Sequence, residues 1–271
     1  LAPFIQEYIY QNRWSEIRPI QVAACDLILN TENNILLASG TASGKTEAAF
    51  LPILTDLYEN PSHSVAVLYI SPLKALINDQ FIRIEEILEE TDIPVTKWHG
   101  DVPQNAKSKL IKNPKGILQT TPESLEAMLM RNPGNILKLF SDLRYIVIDE
   151  VHYFMNDERG LQNLCIIERI QRIIRKEPRR IGLSATLGDY KLATQWLSAG
   201  TKRKTVIPSV PEEKRKIRLG IKYYEIEEKE DETSILDYYK DLYEKTLNKK
   251  CIIFSNSKSE VEENIAHLKK I

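Results

Sequence analysis

The 37 Lys and Arg of this 271-residue chain offset 38 Asp and Glu to a formal net charge of −1, so there is no global basic field and any contact with nucleic acid has to be local. The length suits one large or two modest α/β domains, each able to bury its own core.

The first strand-like run, 35–38, leads into Ser39, Gly40, Thr41, Ala42, Ser43, Gly44, Lys45 and Thr46 and then a helical pattern at 44–58. Strand, small-residue loop and helix N-terminus form a phosphate cradle. Small residues let backbone amides approach a triphosphate, Lys45 reaches its terminal phosphates, and the Thr46 hydroxyl can ligate magnesium. The strict pattern wants glycine where Ser39 stands.

Strand-like runs at 65–70, 94–98 and 116–120 follow, alternating with helical patterns at 73–90, 104–112 and 122–130. Two of the strand-to-helix loops, Ser71-Pro72-Leu73-Lys74 and Thr120-Thr121-Pro122-Glu123-Ser124, read either as ordinary helix starts or as sites where amides and hydroxyls grip backbone phosphates.

A strand at 143–149 ends in Asp149, Glu150, Val151 and His152. Four apolar residues, Tyr145 to Ile148, suit the centre of a parallel sheet, and a carboxylate pair where such a strand ends lies where open α/β sheets bind ligands. Taken alone, Asp149 could merely cap a turn; next to the phosphate cradle, the pair reads as a magnesium holder and a water-positioning base. A helix at 161–176, a strand at 180–184 closing on Ser184-Ala185-Thr186, and a helix at 189–198 complete a first α/β domain over 1–205. Alternation of this kind predicts a parallel sheet covered by helices on both faces.

The polar, proline-interrupted stretch 206–216 reads as a linker. Beyond it, strands near 217–226 and at 251–254 and helices to about 248 and from Ser259 read as the start of a second α/β unit over 217–271. Cys25, Cys165 and Cys251 are few and widely spaced among apolar neighbours, which predicts buried thiols in a reducing compartment rather than disulfides or a zinc site. With no secretory or spanning segment, the expected location is the cytoplasm. A start at Leu1 without methionine and a stop at Ile271 inside a helical pattern suggest a fragment.

In this order the phosphate cradle, Ser-Pro-Leu-Lys-Ala-Leu, Trp98-His99-Gly100-Asp101, Thr-Thr-Pro-Glu-Ser-Leu, Asp-Glu-Val-His and Ser-Ala-Thr resemble the first motor domain of superfamily 2 DExH helicases. Glu158-Arg159-Gly160 after the acid pair, and residues 180–188, look most like the Lhr-like (large helicase-related) branch, with Ski2-like and DUF1998-type helicases as alternatives.

The resemblance implies a RecA-like P-loop NTPase domain followed by an incomplete second one, and an ATP-dependent helicase or translocase working on single-stranded or partly duplex nucleic acid with ATP and Mg2+. Residue by residue, it puts Gln21 on the adenine with Phe4 or Trp14 packing on the base, and Ser43, Gly44, Lys45 and Thr46 on the phosphates and magnesium. Asp149 would hold the metal and Glu150 the attacking water. His152, Ser184 and Thr186 would couple nucleotide state to domain closure, and Pro72, Lys74, Gly100, Thr121 and Pro122 would touch one strand along its phosphates. Cys251 to Lys258 resemble the first motif of the second motor domain, whose remainder would act in cis. Ala42 and Lys74 depart from the glycine and the arginine of related helicases. The competing readings are a P-loop switch or transporter-type ATPase without nucleic acid, and a nucleic-acid-binding module with a vestigial nucleotide site.

Overall fold

The computed structural model of the protein describes residues 1–40, 43–185, 187–210, 218–224 and 232–270, with side chains omitted over 232–236. The chain divides into two compact units, Leu1–Glu212 and Glu213–Ile271. The division falls inside the stretch expected as a linker.

The first unit is built on a seven-stranded sheet in the order β3-β4-β2-β5-β6-β1-β7. Its strands are β1 (Asn34–Ala38), β2 (Val65–Ile70), β3 (Val95–Trp98), β4 (Gly116–Thr120), β5 (Tyr145–Ile148), β6 (Arg179–Ser184) and β7 (Thr205–Val206). Every pairing is parallel. Parallel strands need crossovers, and the helices that make them cover both faces. Alternation along β1 shows the consequence: Ile35 and Leu37 join one core cluster and Leu36 the other. The first cluster gathers α1 (Pro3–Gln11), α2 (Pro19–Asn30), α3 (Lys45–Glu59) and α4 (Lys74–Leu88). The second gathers α5 (Gln104–Lys112), α6 (Pro122–Arg131), α7 (Ile136–Phe140), α8 (Glu158–Ile174) and α9 (Tyr190–Ser198).

Because all strands point one way, the loops following β1, β2, β3, β4, β5 and β6 collect along one edge of the sheet. That edge carries the motifs. The expected strands and crossover helices agree with those observed to within a few residues. Helices α1, α2 and α7 and strand β7 had no counterpart in the sequence reading.

Strand β6 begins with two arginines inside the core. Arg180, 1% exposed, donates to the carbonyls of Leu197 (3.2 Å) and Ala199 (2.6 Å), and burial lowers its pKa to about 10. Arg179 donates to the carbonyl of Leu27 (2.7 Å) and the hydroxyl of Thr31 (3.1 Å), clamping the end of α2 onto the sheet. Further on, the chain must reverse tightly between β5 and α8. A Cβ at Gly160 would stand 1.7 Å from the Phe154 carbonyl oxygen, so only glycine admits this approach.

The second unit contains α10 (Glu232–Thr246) and α11 (Lys258–Leu268). The Tyr239 ring stacks on His267 at 4.4 Å, and its hydroxyl donates to Asn264 at 3.0 Å. The two strands expected here are not formed over their described residues, 218–224 and 251–254. Neither segment pairs with a described strand, so neither has the ladder hydrogen bonds that make an apolar run a strand. Ile221 and Phe254 are exposed accordingly. Residues 217 and 225–226 lie outside the described residues.

The cysteine expectation also needs correcting. All three thiols are free, but Cys165 and Cys251 are exposed and only Cys25 is half-buried. Cys165 lies on α8 between the buried positions Asn163 and Ile166, on the helix's outer side. No helix among the described residues is long and apolar enough to cross a membrane.

Candidate functional site

The phosphate cradle forms where β1 hands over to α3. Gly44 caps α3 in the left-handed region at φ +79°, and Lys45 and Thr46 open its first turn. The Lys45 ammonium donates to the carbonyls of Ser39 (2.7 Å) and Gly40 (2.9 Å), which holds it over the loop. The Ser39 and Ser43 hydroxyls meet at 2.5 Å, and the Ser39 N–H donates to the Ser184 carbonyl at 3.3 Å, tying the loop to β6. Ala42 lies outside the described residues.

Gln21, 2% exposed, caps its own helix by accepting from the Arg18 N–H at 2.9 Å. Its amide nitrogen sits 2.6 Å from where a Cβ on Gly44 would be, so the glutamine abuts the cradle. Phe4 is buried against Tyr58, which removes it as a candidate to stack on a base, whereas Trp14 is half-buried and edge-on to Tyr8. Gly44→Ala should therefore both strain the backbone and displace Gln21. A left-handed L-residue costs on the order of 1–2 kcal/mol, so folding stability measured by urea unfolding should fall by about that much.

The acid pair stands at the end of β5, two strands from β1. Asp149 is nearly buried, and both its oxygens accept hydrogen bonds: Oδ2 from the Tyr69 hydroxyl at 2.5 Å and Oδ1 from the Glu150 N–H at 3.0 Å. Burial raises its pKa and the negative Glu150 adds to this, while the Tyr69 hydrogen bond, the Glu150 N–H and the Lys45 charge pull the other way. Lys45 and Asp149 thus sense each other electrostatically across the site. Tyr69 itself is wholly buried, and burial together with the Asp149 charge holds its hydroxyl protonated. Sequence reasoning missed it, because a tyrosine inside an apolar strand reads as core.

Glu150 adopts a left-handed conformation at φ +50°, rare for a non-glycine residue and a mark of strain at functional sites. Its Oε2 lies 3.2 Å from His152 Nδ1, but off the hydrogen-bond direction; this buried oxygen has no hydrogen-bond partner among the described residues. His152 Nδ1 instead meets Ser184 Oγ at 3.0 Å, so the predicted coupling residues His152 and Ser184 touch. A Cβ at Gly182 would meet Val151 Cγ2 at 2.9 Å; the glycine in β6 lets the turn carrying His152 sit down on the sheet. Thr186 lies outside the described residues.

The remaining predicted residues line the same sheet edge. Pro72 and Lys74 follow β2, Gly100 follows β3, and Thr121 and Pro122 follow β4. Thr121 caps α6 by accepting the Ser124 N–H at 3.3 Å, with Pro122 in the first turn, so the helix-start reading of this loop holds geometrically. Arg159, on α8, donates to Glu123 at 2.8 Å and to the Pro72 carbonyl at 3.0 Å, bridging the loops after β2 and β4. Lys74 is paired with Asp101 at 3.1 Å in solvent. A phosphate approaching Lys74 competes with that carboxylate. Asp101→Asn should thus strengthen single-strand binding, by no more than about fivefold, since exposed ion pairs are worth roughly 0–1 kcal/mol; fluorescence anisotropy would read it.

The donor set suits Mg2+ with a nucleoside triphosphate. No group of three or more His, Cys, Asp or Glu gathers as a metal cage among the described residues. Mg2+ is bound through one or two carboxylates plus substrate phosphates and waters, which is what Asp149 and the Thr46 hydroxyl beside a phosphate cradle offer.

Residues 18–193 match the DEAD/DEAH box helicase family. Among curated proteins, the chain is 36% identical over 211 residues to the ATP-dependent helicase Lhr-Core of Saccharolobus solfataricus, covering 73% of this chain and 24% of that protein. It is 30% identical to the Lhr-Core helicase of Methanothermobacter thermautotrophicus, over 99% of this chain and 33% of that one. The chain therefore spans a quarter to a third of the length of these relatives. Among solved structures it is similar to the Mycobacterium smegmatis helicase Lhr bound to ssDNA and AMP-PNP, with TM-score 0.81, 26% identity, and coverage of 99% of this chain and 36% of that one.

Proposed function

Because the chain belongs to the DEAD/DEAH box helicase family, we propose that it is the ATP-binding motor part of an Lhr-like DExH helicase, working on the backbone of single-stranded or partly duplex nucleic acid. The observation that carries this is the meeting, on one sheet edge, of the Lys45 cradle with a buried Asp149 and a Glu150 whose Oε2 has no hydrogen-bond partner among the described residues.

Mg2+, when bound, neutralises charge developing on the phosphates. Thr46 and Asp149 would hold it, while Lys45 and the amides around Ser43 and Gly44 fix the phosphates. Gln21 contacts the adenine from beside Gly44. Glu150 orients the attacking water and accepts its proton. His152, through Ser184, passes the state of that site to β6, with Thr186 completing the relay. Pro72, Lys74, Gly100, Thr121 and Pro122 grip phosphates of one strand without reading sequence.

In this reading the first unit is motor domain 1 and the second unit begins motor domain 2. In this reading the arginines that reach the nucleotide belong to later motifs of motor domain 2 than the one resembled by Cys251 to Lys258. An arginine finger contributes on the order of 10³–10⁵ in rate, so this chain alone should bind ATP and turn it over slowly. Strong turnover stimulated by nucleic acid would contradict that. Strand binding should weaken steeply with salt, by about 0.7 log units per log unit of salt for each phosphate neutralised, a slope that anisotropy measures directly. A salt-independent affinity, or none, would overturn the nucleic-acid part of the proposal.

A further inference from the structure

Strand β3 is the sheet's edge, paired with β4 on one side only. Along its free side runs an open groove of about 910 Å³ between α4 and α5. Four lysines, Lys97, Lys109, Lys112 and Lys115, line it against one acid, Asp101, which already pairs with Lys74. The lysines are a local concentration: residues 102–122 contain four lysines and no Asp or Glu, in a chain whose net charge is −1.

The groove floor is largely apolar, and Phe81 lines it under Lys97, whose ammonium stands 4.2 Å from the ring centre. His99 faces the groove at its upper end. The imidazole is 5% exposed, and neither ring nitrogen has a hydrogen-bond partner among the described residues; the Asp101 carboxylate is 3.7 Å away. Burial lowers its pKa, Asp101 pulls the other way, and the charges of Lys74, Lys97 and Lys107 add to the lowering.

The position of the groove follows from the strand order. Loops at the ends of β2, β4 and β3 carry Lys74, Thr121 and Gly100 in a row running towards the sheet's free edge, and the groove starts beside the last of them. A positively charged groove with apolar and ring surfaces is how single strands are held without sequence readout. Lysine on an edge strand also discourages the addition of another strand, which argues against a polypeptide as the occupant.

We propose that the groove along β3 is a second binding segment for the same nucleic-acid strand, with Lys109, Lys112 and Lys115 on its phosphates and Phe81 against its bases. This rests on the nucleic-acid reading given above. Lys109 and Lys112 are both exposed, so Lys109→Gln/Lys112→Gln leaves the core intact.

Fluorescence anisotropy on the 271-residue chain, with single strands of about 5 and about 12 nucleotides, tests it across a salt series. The double variant should bind the short strand as the unsubstituted chain does. For the long strand, its salt slope should be smaller by about 1.4, or 0.7 for each of two phosphates. Equal slopes with the long strand, or equal weakening of short and long strands, would overturn the proposal, as would a polyglutamate peptide that fills the groove without displacing the long strand. If the unsubstituted chain bound neither strand, the nucleic-acid function itself would fall, and this inference with it.

Discussion

Glu150→Gln in the full-length protein is expected to lower ATP turnover by about 10²- to 10⁴-fold, the range a positioned general base contributes, while leaving nucleotide affinity close to unchanged. Glu150 adopts a left-handed turn next to the Asp149 carboxylate, which is held by Tyr69 and the Glu150 N–H, and its own Oε2 has no hydrogen-bond partner among the described residues. A carboxylate oxygen that accepts no hydrogen bond can accept a proton from water. An amide cannot. Nothing places Glu150 on the phosphates themselves, so binding of a labelled ATP analogue should persist. Phosphate release at the unsubstituted rate would remove Glu150 from this role.

Tyr69→Phe is the second large effect. It deletes one hydroxyl from a buried position and leaves Asp149 Oδ2 without its donor. Hydrogen bonds to charged groups are worth roughly 1.5–3 kcal/mol, which at 1.4 kcal/mol per tenfold corresponds to a rise of about 10- to 100-fold in the Mg2+ concentration needed for nucleotide binding. Tyr69 also stands two residues before Ser71 at the loop after β2, so it links a predicted strand-binding loop to the carboxylate proposed to hold the metal.

The pH dependence has a definite sign. Asp149 is raised, so the folded chain holds this proton more tightly than the unfolded one; its contribution to stability is present at low pH and lost as pH rises through the folded value. Proton and Mg2+ compete for the same carboxylate, so the Mg2+ requirement should grow as pH falls, more so in Tyr69→Phe, where one stabiliser of the charge is gone. A Mg2+ midpoint identical in both proteins would contradict the positioning role.

The legible part of the fold was its parallel sheet. Strands buried on both faces, such as Val65–Ile70, must read as unbroken apolar runs, and the loops at their ends stood out as small, polar or acidic residues. Less legible were elements fixed by distant partners. β6 opens with Arg179 and Arg180, which look like surface residues until their carbonyl acceptors on α2 and beyond α9 are in place. Spacing along the chain cannot reveal that Tyr69 lies against Asp149, 80 residues on, because the parallel pairing of β2 with β5 brings them together. Conversely, the apolar run at 251–254 looked like a strand because the pattern describes a preference, while a strand needs a neighbour.

The site followed the same division. The roles proposed for Lys45, Asp149 and Glu150 rest on their own side chains, and their motifs pointed to them. His152 and Ser184 were assigned through resemblance, and the structure shows them touching at 3.0 Å. Tyr69, Arg159 and the groove beside β3 depend on contacts that only the fold creates.

The central claim is that the cradle holds a nucleoside triphosphate with Mg2+ through Lys45. Titration of the 271-residue chain with a labelled, non-hydrolysable ATP analogue and Mg2+ tests it most directly, run beside Lys45→Ala. The unsubstituted chain should bind saturably and only with Mg2+ present, and the variant should lose that binding. Equal binding by both, or none by the unsubstituted chain, would contradict the account.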